Sequence, residues 1–139
     1  MVVQMQIDLG ATAEDASVVL RGLREFNEVR LGPAREQPVR IVVRNEDGHI
    51  VGGVLGHTKW EWMYVSTLWV DDALRGQGWG TKLMAAAEEL ARSRGCTHVS
   101  LDTFEYQARP FYEKLGYQLF GTLEGYPPGY RQFYLTKRL

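Results

Sequence analysis

The chain has little cysteine, little histidine and almost no net charge: one Cys, three His, and 16 Lys and Arg against 17 Asp and Glu. A lone thiol, Cys96, excludes an internal disulfide and fits a reducing compartment, so a cytoplasmic location is expected. Near-neutral charge gives no electrostatic reason to expect nucleic acid or a membrane surface as partner. His49, His57 and His98 are isolated, no His/Cys/Asp spacing suggests a ligand set, and no metal is expected. No lysine or arginine precedes Arg21 and no apolar run is long enough to span a bilayer, so neither a signal peptide nor a membrane segment is expected. Repeats and low-complexity tracts are lacking too. What is present is 139 residues, 45% hydrophobic and 24% charged, an ordinary composition for a soluble globular protein. A single domain over residues 1–139 is expected, able to bury roughly two thirds of its extended-chain surface.

Hydrophobic periodicity supplies the elements. Val3 to Leu9 alternates as a first strand. Thr12 can cap a helix with Glu14 and Asp15 in its first turn, and Ala16, Val19, Leu20, Leu23 and Phe26 fall on one face. Asn27 to Pro38 reads as a loop or a short second helix. Val39–Arg44 and Ile50–Lys59 flank Asn45-Glu46-Asp47-Gly48, a hairpin signal, and Trp62–Val70 follows as a third strand. Lys82 to Arg94 carries a helical stripe of Leu83, Met84, Ala87, Leu90 and Ala91, with Gly95 to end it. Thr97–Thr103 is a strand and Ala108–Leu115 a short helix that tolerates Pro110 in its first turn. Tyr117–Thr122 and Tyr130–Thr136 close the chain as strands around Gly125-Tyr126-Pro127-Pro128-Gly129. The order β-α-(α)-β-β-β-α-β-α-β-β implies an α/β (α+β) fold: a mixed, largely antiparallel sheet of about 6–7 strands with helices on both faces.

The most informative stretch joins the third strand to its helix: Leu68-Trp69-Val70-Asp71-Asp72-Ala73-Leu74-Arg75-Gly76-Gln77-Gly78-Trp79-Gly80-Thr81. Alternate glycines permit positive φ and let a ligand approach the backbone. Their amides, continued by the free N–H groups of a helix start, make an anion pocket that the helix dipole reinforces. Arg75 adds a fixed charge suited to phosphate. A P-loop, G-x-x-x-x-G-K-S/T, is excluded because Thr81 stands where its second glycine belongs. A dinucleotide fold needs the turn after the first strand of a parallel unit, and only Asp102, closing the next strand, speaks for it.

Arg75-Gly76-Gln77-Gly78-Trp79-Gly80 resembles the Gln/Arg-x-x-Gly-x-Gly/Ala signature of the GNAT superfamily of acyl-CoA-dependent N-acyltransferases. About thirty residues on, Ala108-Arg109-Pro110-Phe111-Tyr112-Glu113-Lys114-Leu115-Gly116-Tyr117 resembles that family's A-x-x-x-Y-x-x-x-G-F/Y helix. The element order is similar over nearly the whole chain. The resemblance implies acetyl-CoA as co-substrate, with its pyrophosphate on the amides of Arg75, Gly76, Gln77, Gly78, Trp79, Gly80 and Thr81. It implies that the strand before the turn splays from the next strand and that the pantetheine arm pairs with Trp69 and Val70 as an added strand would. It implies that Tyr112 is the catalytic acid for a departing thiolate, whose thiol pKa is near ~8.5, and that a strand amide, that of Val70, meets the oxyanion. The acceptor implied is a primary amine, of a small molecule or a protein, acetylated directly in a ternary complex; Cys96 lies outside the motifs, which disfavours an acyl-enzyme.

Two positions depart from the family pattern. Some members carry a base glutamate in mid-strand, where Tyr64 stands here, and many carry an asparagine where Glu105 stands, leaving Gln107 as a substitute. No base is assigned. The departure at Tyr64 supports an alternative, a non-catalytic CoA-binding module of the same fold. Trp60, Trp62 and Tyr64 alternate on one strand face, with Glu61 opposite by parity, and either line an acceptor pocket or cover the sheet. Tyr126, Pro127, Pro128 and Tyr130 could shape the acceptor site, and His57 could reach it. Arg21, Arg24, Arg30 and Arg35 make a solvated face or, if they line the site, favour an anionic acceptor. Exposed terminal strands make a homodimer an expectation.

Overall fold

The structure, a computed structural model, describes residues 3–139. It divides into two compact units, one ending at Ala34 and one running Arg35–Leu139.

In the first unit, helix α1 (Ala13–Leu31) opens with a capping box: the Thr12 hydroxyl accepts from the Asp15 amide at 3.1 Å, and the Asp15 carboxylate accepts from the Thr12 amide at 2.9 Å. Those bonds from Thr12 hold the Asp15 carboxyl below its usual range. Gly32, at φ 78°, ends the helix. The expected apolar stripe is helical, and no α1 residue is buried. Arg30 lies 3.7 Å over the Phe26 ring. One expectation fails here, and one is decided between its two alternatives. Val3–Leu9 forms no strand, because alternation only permits one and these residues find no partner ladder. Asn27–Pro38 holds no second helix: α1 runs on to Leu31 and residues 32–36 are loop.

The second unit is a six-stranded sheet in the order β1-β2-β3-β4-β6-β5. Its strands are β1 (Gln37–Arg44), β2 (Ile50–Lys59), β3 (Trp62–Val70), β4 (His98–Phe104), β5 (Gln118–Glu124) and β6 (Arg131–Arg138). Helix α2 (Trp79–Ser93) crosses from β3 to β4, and α3 (Arg109–Lys114) leads into β5. Only β3 and β4 are parallel, which a crossover helix requires; every other pair is antiparallel.

Period-2 alternation sends Val39, Val54, Met63, Val65, Val99, Leu101 and Leu135 to one sheet face, where α2 covers them with Leu83, Met84, Ala87 and Ala91. Each such buried side chain contributes roughly 1.5–3 kcal/mol relative to exposure. Tyr112 of α3 joins the same core. Buried within it, Glu88 accepts from the Tyr117 hydroxyl at 2.8 Å and from Lys137 Nζ at 2.8 Å. Burial and that carboxylate push the Tyr117 phenol far up.

Trp60 is not on a strand. It and Glu61 form the two-residue β2–β3 turn at φ 46° and 65°, so the parity reading holds only for Trp62 and Tyr64. Positive φ at both places is the demand of a type I′ two-residue hairpin turn.

Candidate active site

The site begins as a fault in the sheet. Along the β2–β3 ladder, Leu55 faces Thr67 but Gly56 faces Val65, so Ser66 is an extra residue bulged out of β3. The Ser66 hydroxyl donates to the Leu55 carbonyl at 3.2 Å. A Cβ on Gly56 would collide with the Tyr64 carbonyl, which is why this place needs glycine. Past the bulge the two parallel strands part: β3 pairs with β4 only from Trp62↔His98 to Val65↔Leu101. Ser66 to Val70 therefore has no ladder on the β4 side. Between the parted strands lies a cleft of about 670 Å³, lined by Ser66, Trp69, Asp102, Tyr106, Gln107 and Tyr112. That volume suits a small molecule or an extended arm.

The cleft runs on into a second hollow of about 430 Å³ at the glycine turn, with Leu68, Trp69, Arg75 and Ala108 common to both. Asp71 shapes the approach by accepting from the Ala73 amide at 3.2 Å, which starts a short 3₁₀ turn over Asp72–Leu74. The three glycines have two separate reasons. Gly76 and Gly78 sit at φ 78° and 81°, left-handed positions that side chains resist. Gly80 is instead needed for room, since a Cβ there would come 3.2 Å from the Phe111 ring. Gly78 is the N-cap of α2 and offers no side-chain acceptor, and the first intrahelical amide bond is Lys82 to the Gly78 carbonyl at 3.1 Å. The amides of Trp79, Gly80 and Thr81 are thus free at the positive end of the helix.

At the far end of the cleft stand tyrosines and one carboxylate. Tyr112 is 6% exposed, and burial, with the Asp102 charge second, pushes its phenol up to about 12. Tyr64 donates its hydroxyl to Asp102 Oδ2 at 2.6 Å; that bond first and burial second push it up to about 12 as well. The Gln132 side-chain amide donates to Asp102 Oδ1 at 3.2 Å, and the Tyr134 hydroxyl donates to Gln132 Oε1 at 3.2 Å.

A strand that splays from its parallel neighbour, a free-amide helix start behind a glycine turn and a buried tyrosine now stand together. The family comparison decides what they belong to: residues 12–117 match the Acetyltransferase (GNAT) family. The chain belongs to the GNAT acetyltransferase family. Over 128 residues it is 38% identical to the acetyltransferase Atu2258 of Agrobacterium fabrum, covering 92% of this chain and 93% of that protein. It is 36% identical to a blasticidin-S acetyltransferase of Streptomyces morookaense over 127 residues, 91% of this chain and 92% of that one. The crystal structure of an acetyltransferase from Bacillus cereus superposes with a TM-score of 0.89 at 32% identity, covering 96% and 98% of the two chains.

In this GNAT acetyltransferase the residues expected from sequence gather in one groove. Trp69, Val70, Arg75, Gly76, Gly78, Trp79, Gly80 and Thr81 line the hollow at the turn, and Tyr112 lines the cleft that opens from it. Gln77 lies within the turn between its two positive-φ glycines. Arg75 is engaged by Asp72 at 2.9 Å, but both side chains are exposed, so the pair is weak. The Trp79 ring packs beneath Lys82, 4.3 Å from its Nζ.

The remaining candidates divide between the cleft wall and places away from it. Glu105 is tied to Arg131 at 2.7 Å, a bond that lowers its carboxyl. Gln107 accepts from the Phe104 amide at 2.7 Å and so folds the cleft wall. Cys96 is buried, and burial pushes its thiol up, as a packed residue's should be. His57 lies beside Tyr64, 5.6 Å between rings, and His98 stacks on Trp62 at 4.3 Å. Tyr126 and Tyr130 pack on Phe104 and Tyr106 at 5.5 and 4.9 Å, which brings their loop to the cleft mouth.

Sequence reasoning missed two parts of the site. The Ser66 bulge had a signal, the glycines at 52, 53 and 56 within one strand, since interior strand glycines mark bulges or close approach. The bond between Tyr64 and Asp102 had none, because it depends on the register of two strands more than thirty residues apart.

Proposed function

We propose that this GNAT acetyltransferase moves the acetyl group of acetyl-CoA to a primary amine by direct attack in a ternary complex. The observation that carries the reading is the open edge of β3 running straight into the glycine turn. Pyrophosphate would sit on the amides of residues 76–81, since the Arg75 amide expected among them already donates to the Asp72 carbonyl at 3.2 Å; Arg75 would contribute its side chain, turning from Asp72. The pantetheine amides would pair with the backbone of Trp69 and Val70, restoring the ladder that β4 does not supply. This places the thioester near Tyr112, and the Val70 amide is the donor proposed for the oxyanion.

The amine's lone pair attacks the thioester carbon, the carbonyl electrons move to oxygen, and collapse breaks the C–S bond with the pair leaving on sulfur. Tyr112, at about 12, is fully protonated at neutral pH, as a donor must be. Against a thiol near ~8.5, full proton transfer from that phenol is uphill by roughly 5 kcal/mol. Tyr112 therefore serves by donating a hydrogen bond to the developing thiolate, and solvent supplies the final proton.

Calorimetric titration with acetyl-CoA, with NADH and ATP as controls, tests the cofactor, and thiol release with a panel of amines tests transfer. Blasticidin S heads the panel because one relative carries its name. Selective acetyl-CoA binding with amine-dependent thiol release supports the reading. A folded protein that does not bind acetyl-CoA sinks it. Binding without release, for any amine, leaves the non-catalytic module.

A further inference from the structure

We propose that Asp102 is the proton acceptor for the attacking amine, held in place by Tyr64 and Gln132; this rests on the transferase reading above. Asp102 and Tyr112 line the same cleft but come to it from opposite sides of the sheet. Val99, Leu101 and Thr103 of β4 point into the core that Tyr112 shares, so Asp102 alternates onto the other face with Ser100 and Phe104. A hydrogen-bond donor on the helix side and a base on the open side bracket the gap where β3 and β4 part. That is the arrangement needed when a thiolate leaves on one side and an amine arrives on the other.

The carboxylate is held but not consumed. Its two oxygens can take about four hydrogen bonds, and Tyr64 and Gln132 use one on each. Among the described residues it makes no ion pair with a lysine, arginine or histidine. A half-satisfied carboxylate without a cation, in a cleft, is a receptor for a cationic group. Tyr64 cannot take the proton in its place, because its phenol is already a donor to Asp102 and remains protonated up to about 12. The residue in the position where some family members carry a glutamate thus acts through the carboxylate on the next strand. Tyr64 and Gln132 are positioning residues.

The step balances. The alkylammonium, whose pKa is near ~10.4, first loses one proton to solvent so that its lone pair is free; as the nitrogen bonds to the thioester carbon it becomes positively charged again, and far more acidic than before. One N–H proton passes to Asp102, the C–S bond breaks with its pair on sulfur, and Asp102 returns the proton to solvent. The ionisable or charged groups that face Asp102 are Tyr64 from β3, Tyr134 from β6 and Tyr112 from α3, with Arg75 and Tyr106 on the cleft wall.

The test compares wild type, Asp102→Asn and Tyr64→Phe in the full chain. Acetyl-CoA is the donor, and blasticidin S and glycinamide (a small, weakly basic primary amine) are the acceptors. Asp102→Asn is expected to keep acetyl-CoA affinity within about twofold and to lose about 100-fold or more in kcat. Tyr64→Phe removes a donor that holds the carboxylate, so kcat should fall about fivefold while the KM for acetyl-CoA stays unchanged. Asp102→Asn with kcat unchanged, or with acetyl-CoA binding abolished, overturns the assignment. Wild-type protein that binds no acetyl-CoA, or releases no thiol with either amine, defeats the transferase reading instead.

Discussion

The two halves of β3 are one strand with two fates. Trp62–Val65 lies between β2 and β4; Ser66–Val70, after the bulge, pairs with β2 alone. In the first half Met63 and Val65 are 0% and 3% exposed and fix the core. In the second half Trp69 is 49% exposed and lines the groove. Apolar side chains occur in both, so composition does not separate a structural strand from a ligand-facing one. The number of backbone partners does. A site can be made by withholding one ladder of hydrogen bonds rather than by adding a reactive group.

Leu101→Ala removes the fully packed side chain at the last rung before the strands part. It should cost about 2–5 kcal/mol in urea unfolding. Gly56→Ala attacks the bulge itself. A loss of about 1–3 kcal/mol is expected from overpacking, with a larger proportional loss of acetyl-CoA affinity by calorimetry. If affinity survives while stability falls, the bulge is not what opens the edge.

Tyr112→Phe sharpens the contrast through pH. A phenol at about 12 when folded and ~10 when unfolded contributes stability that is fully present below pH ~10 and lost as pH rises towards 12. The urea midpoint of wild type should therefore fall more than that of Tyr112→Phe between pH 9 and 11; equal falls would place the phenol in water. The smallest effect is Asp72→Ala, which should change stability by less than about 1 kcal/mol because its pair with Arg75 is exposed. Freed of Asp72, Arg75 should bind acetyl-CoA no more weakly than in wild type.

Much of this was legible in the sequence. Trp62–Val70 is a strand at both expected ends, and the stripe of α2 is buried at Leu83, Met84, Ala87 and Ala91, because a single burial rule decides each. The turn could be read because positive φ leaves few residues to choose from, although Gly80 is there for Phe111 and not for its backbone. Where a partner decides, the pattern misleads. Val3–Leu9 alternates and makes no strand, and Trp60 has strand parity but sits in a turn. Asp102 and Tyr64 are ordinary residues apart, and only the parallel register of β3 and β4 makes them a pair.

Glu88 gives this architecture a mechanical property. Helix α2 packs along β1, β2 and β3, while its Glu88 is bonded to Tyr117 and to Lys137 of β6, across the line where the sheet parts. The helix is a splint over a split board, fastened to the planks on both sides. That fastening bridges the gap beyond Val65, and a ligand entering the wedge would meet walls braced by α2. Its free energy of binding is spared the cost of arranging them.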